Sequence, residues 1–148
     1  MAALEHLQNS LEAAYDTSRR LIGLLDDDKR SRYTQALTVV GDGWRAFEAE
    51  LEEAARHDYA DRTATILSRI GDELFYSFGH ADEAIATFEL ALSIAPRHAE
   101  SLKGIIAAYL QGSARRPAHA LPYAERLAAI DPGRQRDVVY IRSLLPGG

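Results

Sequence analysis

Residues 79–96 read GHADEAIATFELALSIAP, and residues 118–132 read AHALPYAERLAAIDP. In both stretches alanines and larger apolar residues recur three and four positions apart, which is the spacing of one face of an α-helix. Each stretch ends in a proline that cannot continue a helix, and these two, Pro96 and Pro132, are 36 residues apart. Self-similarity at such a period predicts consecutive helical hairpins.

The pattern resembles the tetratricopeptide repeat, a family of helix-turn-helix units of about 34 residues that stack into a right-handed solenoid. The family's aromatic, turn-glycine, alanine, aromatic, alanine and proline positions fall on Phe75, Gly79, Ala84, Phe88, Ala91 and Pro96. The pair Ile70-Gly71 lies one residue out of phase with the family's Leu-Gly pair. The resemblance implies that Phe88 fills the space between hairpins and that the small alanines let helices approach closely.

A second copy matches the family at Tyr109, Ala120 and Pro132, after a two-residue expansion of the turn over residues 112–117. It departs from the pattern at Ala124 and Leu127. A short closing helix is expected over residues 135–145, since Val138, Val139, Ile141 and Leu145 follow the last proline. The resemblance thus implies an all-α fold of antiparallel hairpins over residues 61–148, ended by a capping helix.

Residues 1–60 fit no repeat, but they predict two amphipathic helices with apolar seams from Leu4 to Leu25 and from Tyr33 to Ala54. The acidic run Asp26-Asp27-Asp28 offers N-cap oxygens for the second of them. The segment Gly41-Asp42-Gly43 indicates a kink or break, since two glycines cost a helix interior about 2 kcal/mol relative to alanine. A third helix is expected from Asp61 to Phe78, ended by Gly79 in a left-handed conformation.

The two N-terminal seams have two interpretations. They can pack on one another as an N-terminal hairpin, or one seam can be left for a partner chain in a homodimer. Residues 1–60 are then a cap, a degenerate repeat or a dimerisation arm.

Composition excludes several classes of chemistry. The chain has no cysteine, which rules out disulfides and Cys-ligated metals, and no apolar run approaches the roughly 18 residues that span a bilayer. We therefore expect no membrane insertion and a cytoplasmic location. The five histidines are scattered along the chain, and the pair His57-Asp58 is expected near a helix C-terminus, where a histidine complements the helix dipole. We predict no metal, no cofactor and no enzyme activity.

Charge is unevenly distributed. Residues 1–96 carry 9 Lys+Arg against 18 Asp+Glu, and residues 97–148 carry 8 against 4. An alternative function is therefore binding of nucleic acid or another polyanion by the basic C-terminal surface, although no recognition motif accompanies the arginines and nucleic acid is not the expected partner. The arginines of that surface are Arg115, Arg116, Arg134, Arg136 and Arg142.

The resemblance implies a partner protein or peptide as ligand. In the family the first helices of the hairpins line a concave groove, and the ligand-contacting positions correspond here to Ile66, Arg69, Glu73, Tyr76, Ser77, Glu100, Lys103, Ala107, Leu110 and Gln111. Arg69, Lys103 and the apolar members of this set predict an extended or helical ligand with apolar anchors and some acidic character. The chain is then an adaptor, scaffold or chaperone, or an accessory subunit of a separate enzyme.

Overall fold

The computed structural model describes residues 2–112 and 115–147, and this part of the chain contains seven α-helices and no strand. The helices are α1 (Ala2–Arg19), α2 (Asp27–Glu50), α3 (Glu53–Asp72), α4 (Ala81–Ile94), α5 (Ala99–Gln111), α6 (Pro117–Ile130) and α7 (Gln135–Ser143). A π-helical turn at Glu73–Ser77 continues α3, and a 3-10 turn at Pro132–Arg134 precedes α7. The predicted all-α fold is confirmed.

The helices form three hairpins and a closing helix. Helix α1 packs on α2, α3 on α4 and α5 on α6, and α7 packs on α6. Neighbouring hairpins touch through α4 and α5, and also through equivalent helices, because α1 contacts α3, α3 contacts α5, and α2 contacts α4. The first helices of the hairpins therefore lie on one side of the molecule, which we call the groove face. The two N-terminal seams pack on each other within the chain, as the interpretation of residues 1–60 as an N-terminal hairpin requires.

Phe88 on α4 is the side chain that joins two hairpins. Its ring is fully buried, and a Cβ atom added to Gly71 on α3 would lie 2.7 Å from it. A Cβ atom added to Gly104 on α5 would lie 2.4 Å from the same ring. Both helices therefore approach the ring at glycines, which confirms that Phe88 fills the space between hairpins. The π-helical turn at Glu73–Ser77 adds one residue to the helix after Gly71, which accounts for the one-residue phase difference from the family pattern.

Helix α2 runs without interruption through Gly41 and Gly43, so the predicted break does not occur. Both glycines are buried and both lie at close approaches of other elements. A Cβ atom on Gly43 would lie 3.5 Å from the Cα atom of Leu7 on α1, and one on Gly41 would lie 3.3 Å from Leu90 on α4. The packing that these glycines permit offsets their low helix propensity.

Two predicted helix ends are wrong. Helix α1 ends at Arg19 rather than near Leu25, although Leu21 is still fully buried by the turn that follows. Helix α3 begins at Glu53 rather than Asp61, since the chain reverses within residues 51–52. Phe47 and Tyr59 then meet edge to face across this reversal, with ring centroids 5.0 Å apart. In both places the apolar spacing continues through the turn, so periodicity alone does not reveal where the helix stops.

The predicted caps and turns are confirmed at Asp26 and Gly79. The Asp26 carboxylate accepts a hydrogen bond from the Lys29 N–H at 2.8 Å, and Gly79 ends the third helical segment with φ +73°. Pro117 is the first residue of α6. The closing helix α7 ends at Ser143, two residues before the predicted end. The predicted expansion of the turn before Pro117 includes residues 113–114, which lie outside the described residues.

Candidate partner-binding face

The groove face carries two channels. The first groove, about 910 Å³, runs between α1 and α3. Its lining residues are Gln8, Asn9, Leu11, Glu12, Tyr15, Asp16, Ser18, Ile66, Arg69, Ile70 and Glu73. The second groove, about 360 Å³, lies mainly between α5 and α7. Its lining residues are Tyr76, Lys103, Ile106, Ala107, Leu110, Gln111, Leu127, Arg134, Asp137, Tyr140 and Ile141.

The structure places eight of the ten predicted contact residues in the two channels. Those in the first groove are Ile66, Arg69 and Glu73. Those in the second groove are Tyr76, Lys103, Ala107, Leu110 and Gln111. Ser77 and Glu100 are exposed but belong to neither lining set. All ten side chains are exposed or half-buried, so none of them is fully enclosed in the packed core.

Helix α1 supplies the half of the first groove that sequence reasoning missed. Glu12 and Asp16 stand on either side of Tyr15 along this helix, and all three are exposed. The predicted set contained only residues of α3, the π-helical turn and α5, because residues 1–60 fit no repeat. An exposed tyrosine between two acids, off the apolar seam of Leu7, Leu11 and Ala14, is the sequence signal that could have indicated this wall.

Negative charge dominates the first groove. Three carboxylates, those of Glu12, Asp16 and Glu73, line it together with one guanidinium, that of Arg69. Glu73 also pairs with Arg19 at 2.7 Å, a contact that links the end of α1 to the segment after α3. The charge around Arg69 is therefore opposite to the one from which an acidic ligand was predicted. A basic ligand complements this groove better.

The second groove is mixed in charge. Lys103 lies 3.6 Å from Glu100, and Arg134 lies 3.5 Å from Asp137. Between the two grooves, partial burial and then the nearby Glu100 raise the pKa of the Asp72 carboxyl. Burial, with Asp72 as the second cause, raises the pKa of the Tyr76 phenol. Tyr76 therefore stays neutral at physiological pH and offers an apolar ring with a hydrogen-bonding hydroxyl.

Exposed apolar side chains are concentrated on this face. Among the described residues, the large hydrophobic side chains that remain exposed are Tyr15, Ile22, Leu24, Val39, Ile66, Tyr76, Val139 and Tyr140. Four of these eight line the grooves, Tyr15 and Ile66 in the first and Tyr76 and Tyr140 in the second.

The buried side chain of His98 connects α5 to α3 through hydrogen bonds. The backbone N–H of Ser101 donates to Nδ1 of His98 at 3.3 Å, which makes Nδ1 an acceptor and places the ring proton on Nε2. Nε2 then donates to Thr65 Oγ1 at 3.0 Å, and Thr65 donates to the Asp61 carbonyl at 2.8 Å. His98 thereby caps α5 and holds it to α3. Every ring nitrogen has a structural partner.

The predicted position of His57 is wrong. His57 lies near the start of α3 rather than at a helix C-terminus, because α3 begins eight residues earlier than expected. The carboxylate of the adjacent Asp58 pairs with Arg62 at 3.0 Å. No group of three or more histidine, aspartate or glutamate side chains in the described part of the chain is arranged to hold a metal ion.

Three arginines of the basic C-terminal surface have acidic partners. Arg116 pairs with Asp82 at 3.0 Å, Arg134 with Asp137 at 3.5 Å, and Arg142 with Glu125 at 3.8 Å. Arg116 also lies over the ring of Tyr109, 5.2 Å from its centroid. These contacts reduce the positive charge that the surface can offer to a polyanion.

Comparison of the chain with known protein families finds no matching family model, and comparison with curated proteins finds no match either. Within the described residues, none of the helices has the length and apolar character that crossing a membrane requires.

Proposed function

We propose that the chain is a protein-binding module that holds a segment of a partner protein against the groove face. One observation carries the proposal: half of the exposed large hydrophobic side chains of the described residues line the two grooves. Exposed aromatic and aliphatic groups within channels are the anchors that binding surfaces use, whereas single apolar residues scattered over a surface have no such meaning.

The resemblance to the tetratricopeptide repeat supports the same proposal. In that family the first helices of successive hairpins form the ligand groove, and here α3 and α5 are the first helices of their hairpins. Helix α1 extends the face by one further hairpin. In this proposal the protein works in the cytoplasm as an adaptor, scaffold or chaperone, and positioning a separate enzyme is one form of that role.

The geometry of the first groove favours a helical ligand. The α1 side of the channel runs from Gln8 to Ser18, about 15 Å at 1.5 Å per residue, which matches about three turns of a bound helix. Tyr15 and Ile66 offer apolar contacts on opposite walls, and Glu12 and Asp16 offer partners for basic side chains. A short amphipathic helix with basic flanks fits this arrangement.

Two matched substitutions test the proposal. Ile66 on the groove face and Val39 on α2 are exposed to nearly the same extent, 42% and 44%. After partners are captured on immobilised protein and quantified, we expect Ile66→Asp to lower their recovery about tenfold or more, the loss typical of a central anchor residue. We expect Val39→Asp to leave recovery unchanged. Equal recovery from the two variants, each shown to be folded by circular dichroism, would contradict the assignment of the groove face.

A further inference from the structure

Helix α7 has two apolar sides. Val138 and Ile141 face inward and are almost completely buried. On the outer side Val139 is 61% exposed, and Tyr140, which also borders the second groove, is 55% exposed. Among the described residues no other element covers this side of the helix. The outer side of α7 is thus an exposed apolar surface.

Basic residues flank this outer surface. Arg136 precedes Val139 and Tyr140 by three and four positions, so the three side chains share one stripe of the helix. Arg142 lies near the end of the helix, and its contact with Glu125 at 3.8 Å joins two half-exposed side chains. Such a contact contributes little and exchanges readily. The outer side of α7 is therefore both apolar and basic.

The first groove has the complementary properties at the other end of the chain. It carries the carboxylates of Glu12 and Asp16 around the exposed ring of Tyr15, and Ile66 faces them from α3. The lengths also agree, since the nine residues of α7 span about 13 Å and the α1 wall spans about 15 Å. Charge, apolar content and length thus match between the two surfaces.

We propose that the first groove of one copy takes the outer side of helix α7 from a second copy, so that the chain associates head to tail. The two surfaces are different, so each copy keeps one groove and one α7 free, and association continues until a ring closes. A contact limited to one short helix buries less area than a standard protein interface, and exchange is therefore rapid. This association requires no other protein. Helix α7 of a second copy would, however, compete with any partner protein that binds the same groove.

Sedimentation velocity of the purified full chain provides the test. We expect the weight-average mass of the wild type to rise steadily between about 10 µM and about 1 mM, the range in which a small transient interface becomes populated. A groove variant, Glu12→Lys with Asp16→Lys, removes the acidic wall. A tail variant, Arg136→Glu with Val139→Ser, removes the basic and apolar stripe. Each variant alone is expected to remain monomeric over the same range.

Mixing the two variants gives the decisive result. The groove variant still has an intact α7, and the tail variant still has an intact groove, so the mixture contains one functional pair of surfaces. We expect an equimolar mixture to form a one-to-one dimer and nothing larger, because the remaining surfaces of that dimer are both inactivated. A mixture that stays monomeric while the wild type associates would overturn the proposal.

A charge-matched control excludes a general effect of net charge. Asp42→Lys with Glu50→Lys makes the same change as the groove variant, but at exposed positions of α2 on the other side of the molecule. This control is expected to associate like the wild type. The proposal fails if the wild type is monomeric throughout. It also fails if association stops at a dimer that the groove variant leaves intact, as a symmetric contact through Ile22 and Leu24 would.

Discussion

The hairpins α3–α4 and α5–α6 have the same architecture, but different side chains fill their cores. In the first, Phe88 lies against two glycines of neighbouring helices, and the core depends on one large ring. At the equivalent place in the second, 36 residues later, stands Ala124, which is also almost fully buried. Aromatic contact in the second hairpin instead comes from Tyr109 and Tyr123, whose rings stack with centroids 6.1 Å apart. A hairpin stack thus tolerates replacement of the central aromatic residue when other rings and the closing helix supply the contacts.

The largest test of this difference is removal of the two equivalent side chains. We expect Phe88→Ala to lower the free energy of unfolding by about 3–5 kcal/mol, because it leaves a cavity between α3, α4 and α5. The matched change Ala124→Gly removes only a methyl group and is expected to cost about 1 kcal/mol, mainly through helix propensity. Urea denaturation of both variants measures the two values. Similar losses of unfolding free energy in the two variants would show that the stability of the stack does not depend on Phe88 more than on Ala124.

A smaller effect is expected where the ring meets its glycines. Gly104→Ala would place a Cβ atom 2.4 Å from the Phe88 ring, and such overpacking costs about 1–3 kcal/mol, reduced by the better helix propensity of alanine. In the Phe88→Leu background the same substitution should cost less, because a smaller side chain frees that space. The coupling energy from this double-mutant cycle measures the contact directly. Additive effects would mean that Gly104 does not constrain the ring.

A feature of the fold or of the binding face could be predicted from the sequence when it depends on residues that are close together along the chain. The all-α fold, the left-handed Gly79, the burial of Phe88 and the closing helix each follow from a short pattern of residue types. The start of α3 does not, because the apolar spacing continues from α2 through the reversal at residues 51–52. The acidic wall of the first groove was missed for a different reason. Its residues lie on α1, and pairing α1 with α3 is a property of the tertiary packing.

The charge of the groove illustrates the same limit. Arg69 and Lys103 are the basic residues of the predicted contact set, and taken alone they indicate an acidic ligand. In the structure they line different grooves, and the carboxylates of Glu12 and Asp16 line the same groove as Arg69. The net charge of a binding site is the sum over all residues that are close in space. Residues chosen along one helix therefore do not determine it.

The smallest of the expected differences concerns the turns that follow the two prolines. His98 stands two residues after Pro96 and caps α5 through its side chain, whereas Arg134 stands two residues after Pro132 and precedes α7 without a side-chain cap. We expect His98→Ala to cost about 1–2 kcal/mol, since it removes the cap and leaves the buried Ser101 hydroxyl and backbone N–H with fewer partners.

Two further variants separate capping from simple loss of volume at this position. His98→Asn keeps a side-chain acceptor close to the Ser101 N–H, and it should recover about half of the lost stability if capping is the main contribution. Arg134→Ala is expected to change the free energy of unfolding by no more than about 0.5 kcal/mol, as surface substitutions usually do. Thermal denaturation of the three variants ranks them. If Arg134→Ala costs as much as His98→Ala, the two turns are equivalent after all, and the bridge from His98 to Thr65 contributes nothing specific to the junction of α3 and α5.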